Sequence, residues 1–198
     1  MNQYIIVYVM GIMLLSCAPQ ASFNDPHVAK PEESTHHQLH LDAPPETALL
    51  GQLFGSWDAY LVSMNRDGSW SSDTTNYQWQ WYPILDGHAI QDDWIKLEEG
   101  EDSVPDSKVM GTNLRIFNAP EQQWHMVWID RTQRKSQVYT AVNSDSSVIM
   151  SGENAMGRPV RNTFFNINPD HFDWKQEWTF DNGTSWVVVS KIQCKRKD

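Results

Sequence analysis

Few side chains in this sequence have the type and spacing that catalysis requires. Asp92 and Asp93 are adjacent, so on a strand they point to opposite faces and cannot act as a carboxylate pair. His88 and Asp92 are about 13 Å apart along a strand, too far to bind one metal ion without a ligand from another strand. The chain also lacks the Gly-x-Ser-x-Gly, Gly-rich phosphate-loop, Cys-x-x-Cys and His-Glu-x-x-His motifs. The sequence therefore predicts no catalytic residue, no metal site and no cofactor, and it favours a protein that is not an enzyme.

Arg115 is the charged residue with the clearest binding chemistry. It shares a strand face with Asn113 and Phe117, and a guanidinium group forms two parallel hydrogen bonds with a carboxylate. If this face is inward, we expect Arg115 to anchor the acidic head of a lipid-like ligand or to pair with Glu177. The alternative is a salt bridge at the rim of the fold, which contributes little energy.

Ten tryptophans in 198 residues are the strongest feature of the composition. An indole buries a large apolar area and carries one N–H group, which suits a thick core or the wall of a pocket. Because close packing leaves few voids, either several indoles meet in a filled interior or they surround a pocket. We expect a pocket, with Arg115 and Tyr139 at its mouth. The candidate ligand-binding residues are Trp79, Trp81, Trp94, Arg115, Trp128, Tyr139, Trp174 and Trp178.

Alternation of apolar and polar residues predicts the strands that must position these side chains. In 172–180, four aromatic residues occupy one face and polar residues the other, and 77–81 and 124–128 alternate in the same way. Asn182-Gly183 lies between two such segments and is a strong hairpin signal. Which face of each strand points inward stays open. Further segments are 88–97, 108–117, 135–142, 148–156, 160–167 and 184–195.

This pattern predicts an all-β fold, a single antiparallel up-and-down β-barrel of roughly ten strands with a short N-terminal helix. The helix falls within 49–57, where an apolar turn runs into Gly55 and Trp57. Glycine permits the sharp bend, and the indole of Trp57 then closes the floor of the barrel. A cation from the last predicted strand is expected to lie across this indole. The candidates are Lys191, Lys195 and Arg196.

The first 45 residues predict export and a lipid anchor. The apolar run from Tyr4 to Leu15 is shorter than the roughly 20 residues that span a bilayer, and it fits a signal peptide over 1–16. Leu-Leu-Ser-Cys, ending at Cys17, resembles the bacterial lipobox, which implies lipidation of Cys17. Residues 17–45 contain five prolines and few apolar residues, so we expect a disordered tether that leads to the domain 46–198.

The expected partner is a small apolar or amphipathic molecule. The net charge of −10 repels phosphates, which excludes nucleic acid. We expect the protein to contact the membrane only through the N-terminal lipid. The sequence does not indicate an oligomeric state. We expect the protein to lie in the bacterial cell envelope, as an outer-membrane lipoprotein that faces the periplasm. The alternative is a secreted or periplasmic protein.

Several short segments occur in a recognisable order along the chain: Gly55-Ser56-Trp57, 84–92, 111–117, 124–130, 168–174 and 181–186. Their order and spacing resemble a bacterial family of proteins of the DUF1579 type. The resemblance implies a calycin-like barrel, similar to lipocalins and fatty-acid-binding proteins, and no established activity. It also implies a basic residue at the position of Arg196. Calycin-like haem proteins of the nitrobindin type would need an inward histidine, which only His88 or His125 could supply, and neither lies in a matching motif.

Three functional hypotheses follow from this barrel. The preferred one is a protein that binds or carries a small apolar or amphipathic molecule. The second is a calycin-type enzyme, such as an isomerase or dehydratase, which needs inward acid and base groups with perturbed pKa values. The third is a structural or interaction protein whose barrel is filled by its own side chains.

Overall fold

Ten antiparallel strands close into a barrel in a computed structural model that describes residues 38–97 and 108–197. Each strand pairs with its neighbours in the sequence, and the last strand pairs with the first, so the prediction of an up-and-down barrel is confirmed. The strands are β1 (Gly55–Ser63), β2 (Thr75–Ile84), β3 (Ala89–Lys96), β4 (Lys108–Asn118), β5 (Gln123–Asp130), β6 (Lys135–Ser144), β7 (Ser147–Glu153), β8 (Pro159–Phe165), β9 (His171–Trp178) and β10 (Val187–Arg196).

A short helix precedes the barrel and covers one end. A 3₁₀ turn, Pro45–Thr47, leads into α1 (Ala48–Gly51), and Leu50 and Leu53 are fully buried. A second 3₁₀ turn, Leu85–Gly87, connects β2 and β3. We call the end that carries α1 the lower end of the barrel and the opposite end the upper end.

The structure places Gly55, Trp57 and Arg196 together at the lower end. The indole of Trp57 is fully buried, donates a hydrogen bond to the carbonyl of Leu53 at 2.7 Å and lies 4.1 Å from the guanidinium of Arg196. Arg196 also donates to the carbonyl of Phe54 at 2.8 Å. Gly55 has a φ of +121°, and a Cβ there would lie 2.8 Å from Arg196 Nη1. The glycine therefore leaves the space that Arg196 occupies beneath the barrel.

The predicted strand 172–180 is shorter in the structure, because β9 ends at Trp178. The hydroxyl of Thr179 donates to Asp181 at 2.9 Å and accepts the backbone N–H of Gly183 at 2.7 Å. These bonds form a turn that carries Phe180 away from the buried face, so its side chain is 63% exposed.

The chain contacts the barrel from Leu39 onward. The backbone N–H of His40 donates to the carbonyl of Gly87 at 3.1 Å, and its ring stacks on His88 with centroids 4.2 Å apart. Leu39 and His40 belong to the segment 17–45 that we predicted as a tether. The predicted signal peptide, the lipidation site Cys17 and the tether up to residue 37 lie outside the described residues. In the part of the chain that the structure describes, no helix has the length and apolar character to cross a membrane.

Candidate functional site

Large aromatic side chains fill the lower half of the barrel interior. Trp57 contacts Phe172 edge-on at 4.8 Å between ring centroids, and Trp81 contacts Phe164 in the same way at 5.5 Å. Trp124 is fully buried beside them. This half of the interior leaves no room for a ligand, because its inward positions are occupied by large rings.

The upper half of the interior contains a cavity of about 230 Å³. Trp94, Trp128 and Trp174 are only half-buried there, so solvent reaches the cavity. Trp79 lies deeper and contacts Trp94 edge-on, with ring centroids 5.0 Å apart. Eight of the twelve lining residues are aromatic or aliphatic, and such side chains predominate in most sites that bind small molecules. The full lining is Trp79, Trp94, Asn113, Trp128, Gln137, Tyr139, Met150, Asn162, Phe164, Trp174, Gln176 and Ile192.

Two glycines hold aromatic rings against the wall of this cavity. A Cβ at Gly111 would overlap the indole of Trp128, and a Cβ at Gly152 would lie 2.5 Å from the ring of Tyr139. Gly111 and Gly152 therefore let the two rings lie flat over neighbouring strands. Side chains at these glycines would push the rings toward the centre and reduce the volume of the cavity.

Four amide side chains supply the polar part of the lining: Asn113, Gln137, Asn162 and Gln176. The phenol of Tyr139 donates to Gln137 Oε1 at 2.8 Å, and burial raises the pKa of Tyr139 to about 12. Gln176 Nε2 donates to Asn162 Oδ1 at 3.1 Å. Every side chain of the lining is uncharged at neutral pH, so the cavity offers hydrogen bonds and apolar surface but no counter-ion.

An ion pair of Asp92 and Arg115 lies in the interior next to the cavity, and both side chains are fully buried. Asp92 Oδ2 accepts a hydrogen bond from Arg115 Nη1, and Asp92 Oδ1 accepts one from Trp79 Nε1 at 2.6 Å. Asn113 Nδ2 is a further donor to the same oxygen at 3.3 Å. The guanidinium also lies 4.4 Å from the ring of Trp81.

Two opposing effects act on the carboxyl of Asp92. Burial raises its pKa, and the charge of Arg115 acts against this increase, together with the hydrogen bonds that Asp92 accepts. All of its partners are donors, so the contacts are those of the ionised form. Because each charge has its counter-ion inside the fold, the pair as a whole is neutral.

The predicted role of Arg115 at the mouth of the pocket is wrong. Arg115 is 1% exposed and pairs with Asp92, because the register of β3 and β4 brings Asp92 opposite Asn113 and Ile90 opposite Arg115. It therefore forms neither a rim salt bridge nor the predicted pair with Glu177. Glu177 lies on the outer wall, where it accepts hydrogen bonds from Arg161 at 2.9 and 3.0 Å.

The structure brings five of the eight predicted ligand-binding residues to the cavity. Trp81 and Arg115 lie outside its lining, and Trp178 donates its indole N–H to Gln176 Oε1 at 3.0 Å without lining the cavity. The residues that do line it are Trp79, Trp94, Trp128, Tyr139 and Trp174.

Sequence reasoning missed the four amides and Asp92. A signal for Gln176 exists, because it lies between Trp174 and Trp178 on the aromatic face of its strand. Asp92 likewise lies between Ile90 and Trp94 on one face of its strand. A polar residue that interrupts an apolar face marks an inward polar contact.

The strand histidines that we considered lie outside the interior. His88 belongs to the connection before β3 and stacks on His40. His125 is exposed on the outer wall, with Nε2 at 2.9 Å from Glu121 Oε2. Within residues 38–97 and 108–197, no group of three or more His, Cys, Asp or Glu side chains is arranged to hold a metal ion.

Comparison with known proteins shows the fold. No family model and no curated protein sequence matches the chain, so the resemblance to DUF1579-type proteins stays a prediction. The fold is similar to that of the S-type phycobiliprotein lyase CPES from Guillardia theta, at 11% identity over 77% of this chain and 92% of that chain, with a TM-score of 0.52.

Two further solved structures match at lower scores. Rv2717c from M. tuberculosis has 12% identity over 79% of this chain and 100% of that chain, with a TM-score of 0.49. EF1p2_mFAP2b bound to DFHBI has 10% identity over 77% of this chain and 99% of that chain, with a TM-score of 0.33. At 11% identity, the similarity to the phycobiliprotein lyase concerns the fold alone.

Proposed function

We propose that this protein binds or carries a small apolar or amphipathic molecule in the upper half of its barrel. The observation that carries the proposal is the cavity of about 230 Å³, whose lining combines six aromatic side chains with four amides. Binding sites for small molecules combine these features, because apolar walls supply affinity and a few polar groups supply orientation.

The enzyme hypothesis finds less support in the same cavity. Acid–base catalysis works best with groups whose pKa lies near the working pH. Tyr139 is the titratable side chain of the lining, and its pKa is raised to about 12 by burial. Asp92 is occupied by Arg115 and by donors from the protein. The hypothesis of a barrel filled by its own side chains explains the packing of the lower half. It does not explain the cavity in the upper half.

Saturable binding of an uncharged apolar probe tests this function. N-phenyl-1-naphthylamine should quench part of the tryptophan emission and reach saturation at micromolar concentration. The variant Asn162→Trp should abolish saturation, because the added indole fills the cavity. The control Val138→Thr changes a side chain that is 73% exposed and should bind as the unaltered protein does. Linear quenching without saturation in the unaltered protein would contradict the proposal.

We also propose that the barrel is held at the membrane of the cell envelope by a lipid on Cys17. The support is the sequence Leu-Leu-Ser-Cys after an apolar run of signal-peptide length. The change Cys17→Ala should move the protein from the membrane fraction to the soluble fraction. Cys194→Ala is the matched control, because Cys194 is a buried thiol of the barrel, and it should leave the fractionation unchanged. Membrane attachment that survives Cys17→Ala would contradict the anchor.

A further inference from the structure

We propose that the ligand of the upper cavity is an uncharged ring compound with an N–H or O–H group, and that Asn113 Oδ1 accepts its hydrogen bond. This inference rests on the proposed function and adds the charge, the shape and the orienting contact of the ligand.

The charge of the ligand follows from the lining of the cavity. All lining side chains are uncharged at neutral pH, and the buried Arg115 is already paired with Asp92. The guanidinium lies against the rings of Trp81 and Phe164, at 4.4 and 5.7 Å, so it is covered as well as neutralised. An ionised ligand would lose its hydration without gaining a counter-ion, which is strongly unfavourable in an apolar site. The cavity therefore selects against fatty acids and other anions.

The orientation of the Asn113 amide follows from its contact with Asp92. An ionised carboxylate only accepts hydrogen bonds, so the side of Asn113 that faces Asp92 must be Nδ2. The two atoms are 3.3 Å apart. The amide oxygen is then the atom that remains for a ligand. Asn113 is 7% exposed, and its Oδ1 has no hydrogen-bond partner among the residues that the structure describes.

Asn113 differs in this respect from the other amides of the lining. Gln137 Oε1 accepts from Tyr139, Asn162 Oδ1 accepts from Gln176, and Gln176 Oε1 accepts from Trp178. A buried acceptor without a donor is unfavourable. A ligand that donates to Asn113 Oδ1 removes this deficit, whereas one without a donor leaves it in place.

The shape of the ligand follows from the indoles and the volume. Trp79 meets Trp94 edge-on at 5.0 Å and Trp174 edge-on at 6.5 Å, so flat faces are presented at different angles around the cavity. An apolar cavity of about 150 Å³ holds benzene, and this one measures about 230 Å³. One ring or two fused rings fit inside this space and can stack on the indoles. Because the cavity is open to solvent beside the half-buried Trp94, Trp128 and Trp174, a further ring, such as the phenyl group of N-phenyl-1-naphthylamine, can project from it.

Three probes of the same ring system separate the parts of this inference. 2-Naphthol has a donor and is uncharged at pH 7, 2-methoxynaphthalene lacks the donor, and 2-naphthoate is an anion. In calorimetric titrations at pH 7, 2-naphthol should bind about tenfold more tightly than 2-methoxynaphthalene, the ratio expected for one hydrogen bond. 2-Naphthoate should bind most weakly.

The variant Asn113→Ala assigns the preference to its residue. It should no longer prefer 2-naphthol, so the ratio of its affinities for 2-naphthol and 2-methoxynaphthalene should fall to about one. The control Asn162→Ala removes a different amide of the lining and should keep the preference. If Asn113→Ala fails to fold, the three probes still test, on the unaltered protein, whether the preferred ligand is uncharged and whether it needs a hydrogen-bond donor.

The outcomes distinguish this inference from the proposed function. Equal binding of the three probes, or tightest binding of 2-naphthoate, would overturn the inference and leave the cavity as a binding site. A preference for 2-naphthol that persists in Asn113→Ala would overturn the assignment to Asn113. No binding of any probe by folded protein would overturn the proposed function itself.

Discussion

The two halves of this barrel are built from the same ten strands and differ in what their inward positions carry. The lower half has large rings in mutual contact, such as Trp57 on Phe172 at 4.8 Å. Two of its indoles donate within the protein, Trp57 to the carbonyl of Leu53 at 2.7 Å and Trp124 to Asn143 at 3.0 Å. The upper half has amides and glycines among its indoles and encloses a cavity of about 230 Å³. The difference supports a division in which the lower half stabilises the fold and the upper half is the binding site that we propose.

The pair of Asp92 and Arg115 lies between these halves and connects them. Asp92 accepts from Trp79 and Asn113, which both line the cavity. Arg115 lies against Trp81 and Phe164, and Trp81 contacts Phe172 of the lower half at 6.2 Å. The ion pair thus fixes the floor of the cavity on top of the filled core.

The largest loss of stability is expected from Trp57→Ala in the lower half. Removing a fully buried indole leaves a void and should lower the free energy of unfolding by about 3–5 kcal/mol. Urea denaturation measures this. The matched variant in the upper half, Trp128→Ala, should cost clearly less, because Trp128 is half-buried beside an existing cavity. Equal losses would show that the two halves do not differ in their contribution to stability.

Breaking the ion pair should destabilise the barrel almost as much. Arg115→Met leaves the charge of Asp92 in the interior, which should cost about 3 kcal/mol of unfolding free energy. Trp79 and Asn113 still donate to Asp92, so the cost lies at the low end for such pairs. The double variant Asp92→Leu/Arg115→Met should regain part of the stability in denaturant titrations, because no charge is left unpaired. The recovery is incomplete because the N–H groups of Trp79 and Asn113 lose their acceptor. A double variant as unstable as the single one would contradict this explanation.

A smaller effect on stability, but a large one on binding, is expected from Gly111→Ala. The added Cβ overlaps the indole of Trp128, so the ring must move toward the centre of the cavity. Overpacking of this kind costs about 1–3 kcal/mol, and we expect the low end because the ring has space to enter. The affinity for N-phenyl-1-naphthylamine should fall at least about tenfold, or about 1.4 kcal/mol. Unchanged affinity would show that Trp128 does not limit the cavity.

The smallest effect concerns the turn after β9, at the upper end. The side chain of Ser185 donates to Asp181, and with further hydrogen bonds this lowers the pKa of Asp181 from 3.8 to about 2. Because the pKa is lower in the folded state, Asp181 stabilises the turn above pH 3.8 and loses this effect as the pH falls toward 2. Melting temperatures of the unaltered protein and of Asp181→Asn should therefore differ near neutral pH and converge near pH 2. A constant difference would contradict the titration.

The sequence was sufficient for the fold and only partly for the site. Alternation and turn residues predicted the closed meander, because a half-buried strand shows its inward face as a period of two. The contact of Asp92 with Arg115 depends on the register of β3 and β4, which no spacing along the chain displays. Gln176 was not predicted as a site residue, because the aromatic residues around it dominate the pattern of its strand.

The most direct test of the difference between the two halves follows the indole N–H signals during a ligand titration. With ¹⁵N-labelled tryptophan and assigned signals, addition of N-phenyl-1-naphthylamine should shift Trp79, Trp94, Trp128 and Trp174 saturably. The signals of Trp57 and Trp124, which are fully buried in the lower half, should stay in place. Shifts that are confined to the lower half, or that spread equally over all ten tryptophans, would contradict a binding cavity in the upper half.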